Sequence, residues 1–358
     1  MRILLIKMSS MGDVFHTFPA LSDAQAALPE LTVDWVVEKS FADIPAWHPV
    51  VDKVYPIELR KWRKKPWSKA SRQAIKAFFE TVNQTQYDLI LDAQGLLKSA
   101  WVARKVAKMT QTPRPPIVGY DWHSAREPLA TLFYQKKYGV SKAQHAILRL
   151  RQLFAQALSY PLAQNQTIQY GLDTSHWTKP SELLANLGDD RYLVFLHGTT
   201  WETKYWPEES WIALLEKAQT QGLKVILPWG NEEERLRALR IAQTAEARAA
   251  SAMVWVPEQP LSLNVVAKLL NFAKGVVSVD TGLSHVAAAL EVPMVVLYRV
   301  TDPKLVGADG ANVVRLESPC APDYLKQFPD SATEKRSLQG LSVDEVYRSL
   351  AVLKGEGE

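Results

Sequence analysis

One cysteine, Cys320, stands in 358 residues, so no disulfide can form within the chain and a reducing compartment fits it. Apolar runs such as Leu193 to Leu196 and Met294 to Leu297 have strand length, far short of the roughly 20 residues of a membrane helix. Met1-Arg2 lead straight into an apolar strand pattern, so no secretory leader is expected. Neither sign of charge prevails, with 42 basic residues against 38 acidic, which leaves bulk electrostatics uninformative about partners. Missing too are a G-x-x-x-x-G-K-[ST] loop, a G-x-G-x-x-G turn after the first strand and a G-x-S-x-G elbow. These absences disfavour P-loop ATPases, nicotinamide-dependent dehydrogenases and α/β-hydrolases. The seven histidines are dispersed and no Asp-x-Asp pair is present, so a metal-independent reaction without a cofactor is the simpler expectation.

What is there is an alternation of strand and helix patterns over most of the length, with 47% hydrophobic residues and room for two domains. Strand patterns cover 3–6, 32–37, 50–57, 88–91 and 117–119, and helical patterns cover 14–28, 69–82, 96–107 and 141–158. Periodicity weakens between Pro161 and Asp190, which reads as the connection between domains. A second series follows, with strands at 192–196, 224–227, 253–256, 276–279 and 294–297. Helices are expected at 208–219, 232–245, 262–272, 283–290 and 342–353. Such alternation predicts an α/β protein with two parallel sheets covered by helices.

Candidate site residues cluster where strands give way to helices, the edge at which open α/β sheets bind ligands. After the first strand, Lys7-Met8-Ser9-Ser10-Met11-Gly12-Asp13 turns into a helix and presents one carboxylate, Asp13, which could be a catalytic group or a helix N-cap. In the second half, Ser278-Val279-Asp280-Thr281-Gly282-Leu283-Ser284-His285 offers free amides at a helix start, suited to a phosphate or diphosphate. The turn from His197 to Pro207 supplies Thr199, Thr200 and Lys204. Pro228-Trp229-Gly230-Asn231-Glu232 adds an aromatic surface and an acid for ribose hydroxyls. Three polar turns on one sheet edge suggest a nucleotide diphosphate. From Arg60 to Lys69 six basic residues and two tryptophans occur with no acid, a solvated loop or a surface for lipid headgroups, nucleic acid or a small anion. Nucleic acid gains no further support, because no RNP, zinc-finger or long basic-helix pattern accompanies this run.

Four segments in order resemble the lipopolysaccharide heptosyltransferases of glycosyltransferase family 9. They are Met8-Ser9-Ser10-Met11-Gly12-Asp13-Val14-Phe15-His16-Thr17 with Pro19-Ala20-Leu21, Asp92-Ala93-Gln94-Gly95-Leu96-Leu97-Lys98-Ser99, Ala125-Arg126-Glu127-Pro128-Leu129 and Val279-Asp280-Thr281-Gly282-Leu283-Ser284-His285. The resemblance implies a GT-B fold of two facing Rossmann-like domains, at 1–180 and 190–340, with a C-terminal helix within 341–358 crossing back to the first. It further implies inverting transfer of heptose from ADP-L-glycero-D-manno-heptose to the Kdo of Kdo-lipid A by a protein peripheral to the cytoplasmic face of the inner membrane. Asp13 would be the general base. Lys204 would stabilise leaving ADP, with Thr199, Thr200, Thr281 and Gly282 around the diphosphate, Asp280 and His285 orienting sugar or diphosphate, and Glu232 on the ribose. Arg60, Lys61, Arg63, Lys64 and Arg126 would hold acceptor carboxylates and lipid phosphates.

Two departures from the family pattern stand out: Tyr298-Arg299-Val300-Thr301-Asp302-Pro303 where relatives commonly carry a Gly-Pro pair, and Arg60-Lys61 where they carry paired arginines. A heptosyl-Kdo acceptor, a nucleotide-sugar epimerase and a non-catalytic lipid-surface protein remain the alternatives at this point.

Overall fold

The computed structural model describes the chain except for residues 66, 110–112, 164–166, 189, 249–253 and 354–358. It divides into two compact units, Met1–Thr174 and Ser175–Glu358. The expected boundary near 180–190 therefore moves back. Its physical reason is a helix inside the expected connection, at Ser181–Leu187, whose Leu183 and Leu187 are buried.

The first unit runs β1 Arg2–Ile6, α1 Met11–Phe15, α2 Phe18–Ala27, β2 Thr32–Glu38, β3 Val51–Ile57, α3 Leu59–Lys64, α4 Lys69–Val82, β4 Leu89–Asp92, α5 Leu97–Met109, β5 Ile117–Tyr120, β6 Lys136–Tyr138 and α6 Ala146–Leu158. Its sheet is parallel throughout, in the order β3-β2-β1-β4-β5-β6. Ile3, Leu4, Leu5 and Ile6 are fully buried, as expected of a central parallel strand covered by helices on both faces. The single helix expected over 14–28 is two. Pro19 lacks a backbone donor and favours a first helical turn, so a new helix starts at Phe18 behind Thr17. The expected basic loop is partly α3, and β6, a short and largely exposed edge strand, has no apolar pattern to announce it.

The second unit contains α7 Ser181–Leu187, β7 Tyr192–Leu196, α8 Glu208–Thr220, β8 Lys224–Ile226, α9 Glu232–Arg248, β9 Val254–Trp255, α10 Leu263–Asn271, β10 Gly275–Val279, α11 Gly282–Ala289, β11 Met294–Tyr298, α12 Pro303–Val306, β12 Val313–Glu317, α13 Ser331–Arg336 and α14 Val343–Leu353. Met253, where a strand was expected to begin, lies outside the described residues. The sheet order β12-β11-β10-β7-β8-β9 repeats the first unit's connectivity, again all parallel. In each sheet the winding direction reverses once, between β1 and β4 and between β7 and β10, and ligands bind beyond the strand ends at such points.

Within its own unit, the last helix is anchored by an apolar face and one ion pair. Val346 and Leu350 are buried with Leu193, Val277 and Leu341 in the second unit's core, and Lys217 on α8 pairs with Asp344 at 3.0 Å. An apolar stripe on α14 thus faces its own unit's sheet.

Candidate functional site

At the reversal point of the first sheet, the loop after β1 and the loop after β4 lock together. Gln94 Oε1 accepts from the Met8 and Ser9 N–H groups at 2.7 and 3.2 Å, and its amide nitrogen donates to the Ser9 carbonyl. Asp92, fully buried, accepts from the Gln94 and Gly95 N–H groups, from the Ser99 hydroxyl and from the Tyr134 hydroxyl at 2.7 Å. Burial pushes its carboxyl up, against those donors. Asp92 thus organises a loop and offers no free oxygen for chemistry. Gly95 takes φ +66° there, and a side chain on it would meet the Tyr120 ring and the Arg126 backbone at 3.3 and 3.4 Å.

Asp13 occupies the third position of α1, so it is not the N-cap that its place in the sequence suggested; Ser10 is. Its Oδ2 accepts from the Ser10 N–H at 2.8 Å and the Ser10 hydroxyl at 3.0 Å, while Oδ1 lies 3.2 Å from the Lys7 ammonium. Burial works to raise its pKa, but Lys7, the Ser10 N–H and, more weakly, His16 outweigh it and hold the carboxyl well below the usual carboxylate range. Asp13 keeps a partly exposed face on an open cavity of about 700 Å³ that is also lined by Ser9, Gln94, Lys98, Arg63 and Arg126. Two of the expected acceptor arginines therefore share one cavity with the expected base.

The other expected acceptor contacts divide. Arg60 and Lys64 are exposed on α3 outside that cavity. Lys61 is engaged with Glu58 at 3.4 Å, which Lys39 also approaches at 3.5 Å. Trp62, expected as a possible interface residue, is instead 5% exposed and stacks edge-on with Phe78, because a helix at 59–64 turns Leu59 and Trp62 into the core. Trp67 is 87% exposed.

At the reversal point of the second sheet, the loops after β7 and β10 meet. Asp280 Oδ2 receives the Lys204 ammonium at 2.6 Å and the Thr301 hydroxyl at 2.7 Å, and the Asp280 carbonyl accepts from Thr199 Oγ1 at 2.8 Å. Lys204 also lies over the Trp201 ring at 4.6 Å, and Lys326 reaches the same ring at 5.4 Å. Thr281 is the N-cap of α11 without a side-chain cap bond, so the first amides of the helix, Gly282 among them, are left for an anion. Thr200 is exposed, and His285 is buried on the inner face of α11.

Glu232, the acid expected on the ribose, opens α9. It is exposed and bound by Arg235 on the next turn at 2.6 Å, which draws its pKa down. Glu234 lies between the two strand-end loops: its Oε2 accepts from the Gly230 N–H at 2.8 Å, and a side chain on Gly198 would overlap its carboxylate at 2.5 Å. In a run of three glutamates, sequence offered no way to choose the one that a helix start turns toward the sheet edge. Reading by residue type also missed Lys7, Ser10, Gln94, Thr301, Trp201 and Lys326, whose relevance lies only in what they touch.

Two parallel six-stranded sheets of Rossmann connectivity, each with polar loops at its reversal point, define the GT-B class of glycosyltransferases. The chain belongs to glycosyltransferase family 9, the heptosyltransferases, whose family model matches residues 75–331. It is 48% identical over 338 residues to lipopolysaccharide heptosyltransferase 1 of Pseudomonas aeruginosa, covering 94% of this chain and 89% of that one. With the Escherichia coli K12 protein of the same name it shares 44% identity over 322 residues, covering 89% of this chain and 94% of that one. Among solved structures, Escherichia coli heptosyltransferase WaaC with ADP superposes with a TM-score of 0.82 at 40% identity, over 99% of this chain and 100% of that one. The same enzyme with ADP-2-deoxy-2-fluoro heptose gives 0.78 at 41% identity, over 97% and 98% of the two chains.

Proposed function

We propose that this enzyme transfers heptose from ADP-heptose to the Kdo sugar of Kdo-lipid A, with inversion at the anomeric carbon, during assembly of the lipopolysaccharide inner core. The observation that carries the reading is likeness over nearly the whole chain to an enzyme solved with ADP and with an ADP-heptose analogue. Loops able to hold a diphosphate at the end of the second sheet support it.

In this reading the first unit takes the acceptor and the second the donor. Asp13 accepts the proton of a Kdo hydroxyl as that oxygen forms its bond to the heptose anomeric carbon. The bond from that carbon to the β-phosphate oxygen breaks, and ADP leaves with the electron pair. A carboxylate held this low is a weak base toward a free alcohol, so proton transfer accompanies bond formation rather than preceding it. General-base help is worth about 10² to 10⁴ in rate, and charge stabilisation and positioning supply the rest. Lys204 turns from Asp280 to the diphosphate, where an ammonium offsets the charge gathering on ADP. Thr199, Thr200 and the α11 amides, with Thr281 and Gly282, complete the phosphate contacts. Asp280, released from Lys204, orients donor groups, His285 packs behind the α11 amides, and Glu234, rather than the expected Glu232, takes the ribose hydroxyls. Arg63 and Arg126 receive the acceptor's carboxylates, with Arg60, Lys61 and Lys64 nearer its lipid phosphates.

An acceptor bearing acyl chains requires work at a membrane surface, which we assign to the cytoplasmic face of the inner membrane. No helix among the described residues is long and apolar enough to cross one. The deciding experiment measures ADP release from ADP-heptose with and without Kdo-lipid A, with Asp13→Ala beside the native protein. Acceptor-dependent release with a mass gain of one heptose, lost in a folded variant, is the expected result. Release without acceptor would replace transfer by hydrolysis or epimerisation. Release only with heptosyl-Kdo-lipid A would move the enzyme one step later.

A further inference from the structure

The helix α5 contains no acidic residue, and its two faces differ sharply. Ala100, Val102, Ala103, Val106 and Ala107 are buried, whereas Leu97, Trp101, Arg104, Lys105, Lys108 and Met109 are exposed at helical spacing. Beside it lies the short 3-10 helix Pro128–Phe133, where Arg104 stacks on the Phe133 ring at 5.1 Å and Leu132 stands 69% exposed, with Leu129 exposed one turn earlier. Between the two elements opens a cavity of about 500 Å³ lined by Arg104, Lys108, Arg114, Leu132, Phe133 and Gln135.

Three cations line that cavity with no carboxylate among its lining residues, and none of the three forms an ion pair among the described residues. Like charges gathered this way repel one another and favour an anion between them. Apolar side chains at its rim favour burial away from water. A free phosphate would satisfy the cations and leave Leu129 and Leu132 wet, and so would a nucleic acid backbone. A phospholipid satisfies both, its headgroup phosphate among the cations and its acyl region against the leucines.

We propose that the exposed face of α5, with the adjoining Leu129 and Leu132, docks on an anionic bilayer, and that the cavity at Arg104, Lys108 and Arg114 takes a phospholipid headgroup. The proposal rests on the reading of a lipid-linked acceptor, and it assigns the docking to a surface other than the Arg60–Lys69 run. The geometry joins the two: Leu97 and Lys98, at the start of α5, line the Asp13 cavity, and Met109 ends the helix roughly 18 Å away at 1.5 Å per residue. A protein seated along this helix holds its acceptor cavity at the lipid surface.

The test is sedimentation of the full-length protein with vesicles of phosphatidylcholine alone and of phosphatidylcholine with phosphatidylglycerol, together with turnover on a water-soluble, deacylated Kdo acceptor. Native protein binds the anionic vesicles and not the neutral ones. Each cation near such a surface is worth about fivefold in partitioning, so Lys108→Glu with Arg114→Glu lowers it by at least about twentyfold. Leu132→Asp, at an exposed position, lowers it by roughly tenfold. Both variants retain turnover on the soluble acceptor. Equal vesicle binding by native protein and variants, or no binding by native protein, overturns the proposal. Loss of soluble turnover along with vesicle binding also overturns it, since the surface would then belong to the acceptor site or to the fold. So does displacement of native protein by a short RNA with no response to Leu132→Asp. Vesicle binding as expected without any native turnover would instead sink the heptosyl-transfer reading and leave the docking surface standing.

Discussion

The Lys204 ammonium lies 2.6 Å from a carboxylate oxygen of Asp280, on a loop of the neighbouring strand, and the Thr301 hydroxyl donates to that same oxygen at 2.7 Å. A partner of opposite charge holds the lysine side chain in place at the reversal point of the sheet before any diphosphate arrives. Removing the ammonium in Lys204→Ala should lower kcat by about 10² to 10³. Lys204→Arg should recover little, because a planar fork does not reproduce a compact point charge. Single-turnover ADP release checks both, and a Lys204→Ala variant within threefold of native would remove Lys204 from the chemistry.

Asp13→Asn keeps an oxygen for the Ser10 N–H but cannot take a proton. We expect kcat to fall by about 10² to 10⁴ while donor affinity stays within a factor of two, and stability to fall by roughly 1 to 3 kcal/mol, because the buried Lys7 ammonium loses its counter-charge. Calorimetry beside steady-state kinetics separates the two effects. A large drop in melting temperature with kcat preserved would make Asp13 a structural group only.

The pH profile follows from the direction of the Asp13 shift. A carboxyl held below its ordinary range stays ionised throughout neutral and mildly acidic pH. No acid limb in kcat/KM above about pH 5 should therefore belong to Asp13. An inflection at pH 6 to 7 that vanishes in Asp13→Asn would contradict this.

Stability should respond to acid through His48. It is 1% exposed, stacked on Phe18 and in contact with the Ser22 hydroxyl at 3.1 Å, and burial lowers its pKa to about 4. The unfolded chain, with an ordinary histidine near 6.5, then binds more protons than the folded one between those values, so stability is lost as pH falls from about 6.5 to 4. The full loss is on the order of 3 kcal/mol. Urea unfolding at pH 7 and pH 5 should show it, with a smaller difference in His48→Gln.

Arg299 is a buried anchor. Its guanidinium donates to the Tyr205 carbonyl at 2.8 Å, to the Ser337 hydroxyl at 2.7 Å and to the Glu334 carbonyl at 3.3 Å, and stacks on Phe328 at 4.6 Å. Tyr205 follows Lys204 directly. Arg299→Ala should cost about 2 to 4 kcal/mol of stability and raise the KM for donor more than it lowers kcat, because the loop that carries Lys204 loses a tether. An unchanged donor KM in the folded variant would confine Arg299 to stability.

How much was legible is best seen in particular elements. The β7 strand and α4 were expected with their observed ends, since β7 is an unbroken apolar run and α4 carries a helical period, whereas β12 was missed because its residues are only half-buried. Asp13, Lys204, Asp280 and Thr281 could be picked out because parallel sheets put their binding groups at strand ends, and strand ends are visible in one dimension. Glu234 could not be told from Glu232, nor Trp62 from Trp67, because one turn of helix decides which side chain faces inward.

By itself the sequence determined the alternation of strands and helices, the parallel character of both sheets and the strand-end loops that hold the candidate residues, since hydrophobic period and turn residues are local properties. Tertiary structure alone decided that Lys7 and Ser10 hold the Asp13 carboxylate, that Thr301 and Lys204 converge on Asp280 and that α14 closes its own unit's core. It also decided that Arg104, Lys108 and Arg114 gather around one cavity. Each of these depends on distances between residues far apart in the chain, which sheet order sets and no local pattern encodes.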